Sequence, residues 1–172
     1  MARVRLFTEK TDDMTPEQQA TFDWVVESRG SMIRPYEVML HAPGIAQPMA
    51  ELGAQVRYRS SLSDHDRELV IVTAAVAHGC AFEWDSHEPL ARKAGVRSEV
   101  LDFLESGASV ELTDGEAALI DFVNELCEAS GVEDSTFAAA REHLGESGVV
   151  ELAATVGYYT MLAYIMGACE AC

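Results

Sequence analysis

Basic residues are scarce in this chain. Twelve lysines and arginines stand against twenty-nine aspartates and glutamates, a formal net charge of −17 over 172 residues. A surface that acidic repels phosphate backbones and anionic headgroups, which argues against nucleic acid and membrane as partners. Long apolar runs are also missing. Polar residues interrupt every stretch before the roughly 18 positions that a membrane span needs. The first fourteen residues are mixed and charged, so no signal peptide is expected. No stretch alternates apolar and polar residues as a half-buried strand does, and no tight hairpin dipeptide separates two apolar runs. There is no low-complexity segment. Cysteine is limited to four residues, which in an intracellular-looking chain read as thiols rather than as a disulfide framework. The expected location is cytoplasmic.

What remains is a chain that can bury a core. Hydrophobic residues make up 48% of it, and the length suits a single domain spanning 1–172, with 1–14 as an N-terminal arm. Helix signals follow one another. Thr15, Pro16 and Gln18 form a start signal for a helix to about Ser28, ended by Gly30. Short and medium helices are expected near Pro35–His41 and from Pro43 to about Arg59. Ser63 caps a helix to His78 that is apolar nearly all round and therefore central. A buried strand over Leu69–Val72 is the rival reading, outweighed by the cap and by the alanines that follow. The next helix covers 81–94, and Pro89 predicts a kink or break just after His87. Ser98–Glu105 is short. Thr113 and Glu116 open a helix to about Ala129. Two more are expected, from Asp134 to His143 and from Ser147 to about Gly167. The fold class is all-α, built from helical hairpins.

The densest chemistry lies in one stretch: Glu68, then Cys80, Glu83 and His87. Cys80, Glu83 and His87 are spaced by three and four residues, one row on a helix. A thiol, an acid and an imidazole in a row suit proton transfer or thiol chemistry. If the two helices fold back at Gly79, Glu68 lies about 15 Å up the first and His87 about 10 Å up the second. A glutamate side chain covers that difference, so Glu68 can orient His87, and Cys80 sits near a helix N-terminus that favours a thiolate. Each group also has a plainer reading. Cys80 can be a small buried hydrophobe, Glu83 and His87 a solvated surface pair, and Glu68 an acid placed near a helix start. Trp84, Cys127 and the Tyr158, Tyr159, Tyr164, Met161, Met166 group read as core or subunit contacts more than as pocket walls. Cys169 and Cys172 read as a frayed tail rather than a metal or redox pair. No metal ligand set is expected: His41, His65, His78 and His143 share no ligand spacing.

The motif with its flanks, LSDHDRELVIVTAAVAHGC before the site and LTDGEAALIDFVNEL and VVELAATVGYYTMLAYIMGA after it, resembles the carboxymuconolactone decarboxylase and alkylhydroperoxidase AhpD-like family over residues 30 to 168. The peroxidase branch of that family resembles E-x11-C-x2-C-x3-H. Here Glu83 stands where the second cysteine would be, as in the decarboxylase branch, and Phe82 stands at a place that often holds histidine. The resemblance implies an all-α homo-oligomer (dimer, trimer or hexamer) that acts on a small-molecule substrate without metal or organic cofactor.

Three functional readings follow. The first is a decarboxylase of a small carboxylated lactone or enol-forming acid, with His87 as acid, Glu68 its orienter, Glu83 a second proton carrier and Cys80 lining the pocket. The second is a thiol peroxidase attacking through Cys80. The third is a helical oligomer that binds a ligand without turnover. An anionic substrate would need local cations, for which His87 if protonated, Arg67 and Arg92 are the candidates.

Overall fold

A computed structural model describes residues 2–171. Among these residues there are eight helices and no strand: α1 (Pro16–Arg29), α2 (Arg34–Met39), α3 (Pro43–Tyr58), α4 (Asp64–Ala77), α5 (Ala81–Lys93), α6 (Ser98–Ser106), α7 (Asp114–Ala129) and α8 (Asp134–Ala168). The start signals act as read. Thr15 and Thr113 both close reciprocal capping boxes, and the Ser63 hydroxyl accepts from the Asp66 N–H.

The α4 helix is the centre of the bundle. Leu69, Val70, Ile71 and Val72 are fully buried, each contributing on the order of 1.5–3 kcal/mol by leaving water. It packs against α5, α7 and α8, while α1, α2 and α3 form a second group that leans on α8. Gly79, at φ 60°, turns the chain from α4 into α5, a left-handed conformation that glycine adopts without a Cβ clash. The two helices then pair as a hairpin.

One expectation needs correction. The α5 helix runs through Pro89 without ending. Asp85, whose carbonyl loses its helical partner there, and Pro89 both face solvent, so the unpaired carbonyl is open to water and the loss is small. The last element, α8, is two helices that meet at the non-helical Gly145 (φ 73°, ψ 174°), as expected for 134–143 and 147–167. That conformation is open essentially to glycine alone, which is why the two expected segments meet there.

By length and composition alone α8 could cross a membrane, but half of its apolar window is buried inside the bundle. The N-terminal arm is tied down: Phe7 and Met14 are buried against Leu40, and the Arg3 N–H donates to the Cys169 carbonyl at 2.8 Å.

Candidate active site

The α4–α5 hairpin brings Glu68 and His87 together. The His87 Nδ1–H donates to Glu68 Oε2 at 2.7 Å, which leaves Nε2 as the acceptor of a neutral ring. The Tyr159 hydroxyl, from α8, donates to that nitrogen at 3.2 Å, its ring edge-on to the imidazole with centroids 5.3 Å apart. Glu83, one turn before His87, places Oε2 3.7 Å from the same Nε2. Glu68, Glu83 and His87 are all buried, so the plain reading of Glu83 and His87 as a surface pair does not hold.

Burial sets the protonation states. It pushes the Glu83 carboxyl up to about 7, against an opposing pull from the positive charge of Arg57. It holds His87 below the ordinary histidine range, although Glu68 pulls the other way. It raises Tyr159 well above the usual phenol value. At neutral pH the site therefore holds a neutral imidazole beside a carboxyl group poised between its two forms, the condition that suits general acid–base work.

Glu83 and His87 line a cavity of about 160 Å³. Its other walls are Tyr36 from α2, Phe82 and Ser86 from α5, Tyr158 and Tyr159 from α8, and two cations, Arg29 from α1 and Arg57 from α3. The Tyr36 and Tyr158 hydroxyls lie 3.3 Å apart.

Cys80 does not line this cavity. It is the N-cap of α5, with φ −89° and ψ 91°, so it stands outside the helical row that its spacing suggested. Its side chain is 2% exposed and packs with Val38, Ala163 and Met166, as the small-hydrophobe reading has it. Trp84 is partly buried against the main core. Cys172 lies outside the described residues, while Cys169 packs beside the Cys80 cluster.

Sequence reasoning missed the cavity's tyrosines and cations. Tyr158 and Tyr159 belong to the buried core, as expected, and also form the cavity wall. Arg67 meets Asp64 at 2.8 Å and Arg92 meets Glu88, so the expected cations are spent elsewhere and Arg29 and Arg57 take their place. One signal for Arg57 existed: it continues the buried face that Met49, Gly53 and Val56 give to α3. Among the described residues no group of three His, Cys, Asp or Glu side chains is arranged to hold a metal ion.

Residues 43–125 match the family model of the carboxymuconolactone decarboxylase family. No curated protein matches the chain. An alkylhydroperoxidase AhpD core protein, an uncharacterized peroxidase-related protein from Ralstonia eutropha JMP134, superposes with a TM-score of 0.78 at 15% identity, covering 100% of this chain and 93% of that one. A peroxidase-related protein from Silicibacter sp. TM1040 gives 0.76 at 17%, covering 98% and 90%. The debrominase Bmp8, in complex with 2,3,4-tribromopyrrole, gives 0.71 at 15%, covering 99% and 92%. At such identities these likenesses show a shared fold. The matched segment, nearly half of the chain, holds Glu68, Cys80, Glu83 and His87 together; over it the chain matches the carboxymuconolactone decarboxylase family, and the whole chain has an AhpD-like fold.

Proposed function

We propose that the protein is a cofactor-independent lyase that decarboxylates a small carboxylated lactone or enol-forming acid by proton transfer. Glu83 is the group that carries this reading: a buried carboxyl held near neutrality in a cavity it shares with His87. In the reaction the bond to the departing carboxylate breaks, and its electron pair moves onto the conjugated carbonyl as an enolate. Neutral Glu83 then gives its proton to carbon, closing a C–H bond, and regains a proton from solvent. Donors in a dry site stabilise the enolate oxygen most strongly because they are already oriented. The paired Tyr36 and Tyr158 hydroxyls on the cavity wall keep one proton free for this, while Tyr159 donates to His87, which Glu68 orients. With its ring neutral, His87 takes the part of acceptor and orienter, and the acid's part passes to Glu83.

A thiol peroxidase is less well supported. Cys80 lies off the cavity at 2% exposure, and the second cysteine position is Glu83. The named relatives, peroxidase-related proteins and a debrominase, place other chemistries on the same fold, so the choice rests on the site itself. The test is carbon dioxide release from carboxylated lactones by wild type and by His87→Ala. A loss of about 10²-fold or more supports the reading; equal rates reject it.

A further inference from the structure

We propose that Arg57 is the specificity-determining residue of this cavity, receiving the carboxylate of one compact, flat acid whose reacting carbon lies against Glu83. This deepens the decarboxylase reading and rests on it for the reacting carbon alone.

Arg3, Arg5, Arg34, Arg67, Arg92 and Arg97 each meet a carboxylate. Arg29, the other cation of the cavity, donates to the Ala50 carbonyl at 2.6 Å and lies over the Tyr36 ring. Arg57 lies over the Tyr58 ring, but among the described residues no acid forms an ion pair with it, and its Nε is buried without a hydrogen-bond partner. Arg59 and Arg141 form no ion pair among the described residues either but are exposed, whereas Arg57 is half-buried. Across the same cavity Glu83 Oε1 is also buried and without a partner, on a residue only 4% exposed. A donor and an acid facing one cavity, neither satisfied by protein, mark where a polar ligand completes the hydrogen bonding. A guanidinium edge matches a carboxylate in charge and geometry. In a protein of net charge −17, a cation with no acid in ion-pair contact is a local reversal of sign that an anion can read.

Volume narrows the class. A cavity of about 150 Å³ admits benzene, so 160 Å³ suits a single five- or six-membered ring. Tyr36, Phe82 and Tyr159 give the walls flat faces.

The arrangement also ties binding to proton occupancy. Lining the cavity with Glu83 are Arg29 from α1, Arg57 from α3, Tyr36 from α2, His87 from its own helix, and Tyr158 and Tyr159 from α8, with Glu68 from α4 behind His87. The three tyrosines are raised and His87 is lowered, while Glu83 gains charge near pH 7. Once ionised, it repels an incoming carboxylate.

The test uses benzoate and its neutral isostere benzamide as inert probes, titrated calorimetrically into the full chain at pH 6 and pH 8. Benzoate is expected to bind at least tenfold more tightly than benzamide at pH 6, and to weaken several-fold by pH 8. Arg57→Gln should erase the preference, and Arg57→Lys should restore part of it. Glu83→Gln should flatten the pH dependence. Arg59→Gln, on the solvent side of the same helix end, serves as the control for charge and folding. Equal binding of the two probes by wild type, no binding of benzoate, or an Arg57→Gln protein that keeps the preference would overturn the inference. Carbon dioxide assays separate it from the broader reading. Arg57-dependent benzoate binding without lactone turnover leaves the inference standing and removes the lyase, and turnover indifferent to Arg57→Gln does the reverse.

Discussion

Glu68 and His87 are nineteen residues apart in sequence, yet Glu68 Oε2 accepts a 2.7 Å hydrogen bond from the His87 ring, with both side chains sealed from solvent. The contact fixes the imidazole tautomer. It leaves Nε2 facing the Tyr159 hydroxyl and the cavity. Glu68 is thus a positioning residue, acting through His87.

Exchanging its carboxyl for an amide keeps shape and removes that control. Glu68→Gln can offer Nδ1 an N–H, which turns the ring to the other tautomer. Turnover is expected to fall by on the order of 10²-fold or more, with KM little changed. Nitrogen NMR of the His87 ring should report the switched tautomer. An unchanged ring signal together with full activity would contradict the role given to Glu68.

Glu83 should oppose stability while serving chemistry. Its folded value of about 7 lies above the ordinary glutamate value of 4.5, so between those pH values the native state holds a proton the unfolded chain has released. Its contribution is favourable below pH 4.5 and is lost as pH rises toward 7. Glu83→Gln removes the loss. The variant should be more stable than wild type at pH 8 by no more than about 3 kcal/mol, with little gain at pH 4.5, and its decarboxylation should drop by about 10²-fold or more. Thermal melts at the two pH values check the first part.

His87 has the opposite sign. Its folded value lies below the ordinary histidine value, so its share of stability is full above the ordinary value and falls as pH drops through the range beneath it. His87→Ala should therefore flatten the acid side of the stability curve measured in urea at several pH values.

Gly53 is a packing requirement for the cavity wall. A Cβ built there would stand 2.2 Å from the Tyr158 hydroxyl oxygen and 2.7 Å from its Cζ. Gly53→Ala must push Tyr158 toward the cavity or move α3. It should cost about 1–3 kcal/mol and weaken the binding of any cavity ligand, both measurable by calorimetry.

Cys80 offers the sharpest contrast between reaction classes. Buried beside Met166 and off the cavity, it should resist mild peroxide, and mass spectrometry should find it unmodified. Cys80→Ala should keep decarboxylation within several-fold of wild type and lose on the order of 1 kcal/mol in packing.

The parts of this protein that were legible in the sequence are those with local causes. Thr15, Ser63 and Thr113 announce helix starts through bonds made within three residues. Glu68, Glu83 and His87 belong to one hairpin, so their spacing nearly fixes their meeting. Cys80 misled because its spacing assumed a helical residue, whereas an N-cap has already left the row. Pro89 misled because its cost falls on a solvated face. Arg57, Tyr158 and Tyr159 stayed hidden for another reason: they reach the cavity from α3 and α8, and only tertiary packing decides which face of those helices looks inward.

The cavity's acid and imidazole sit on one short turn of chain, while most of its walls arrive from helices remote in sequence. Chemistry and selectivity are thereby written into separate stretches of the gene. Substituting Arg57 or Tyr158 alters which acid is admitted while the hairpin that moves the proton stays whole, so redesign of substrate range can begin at α3 and α8.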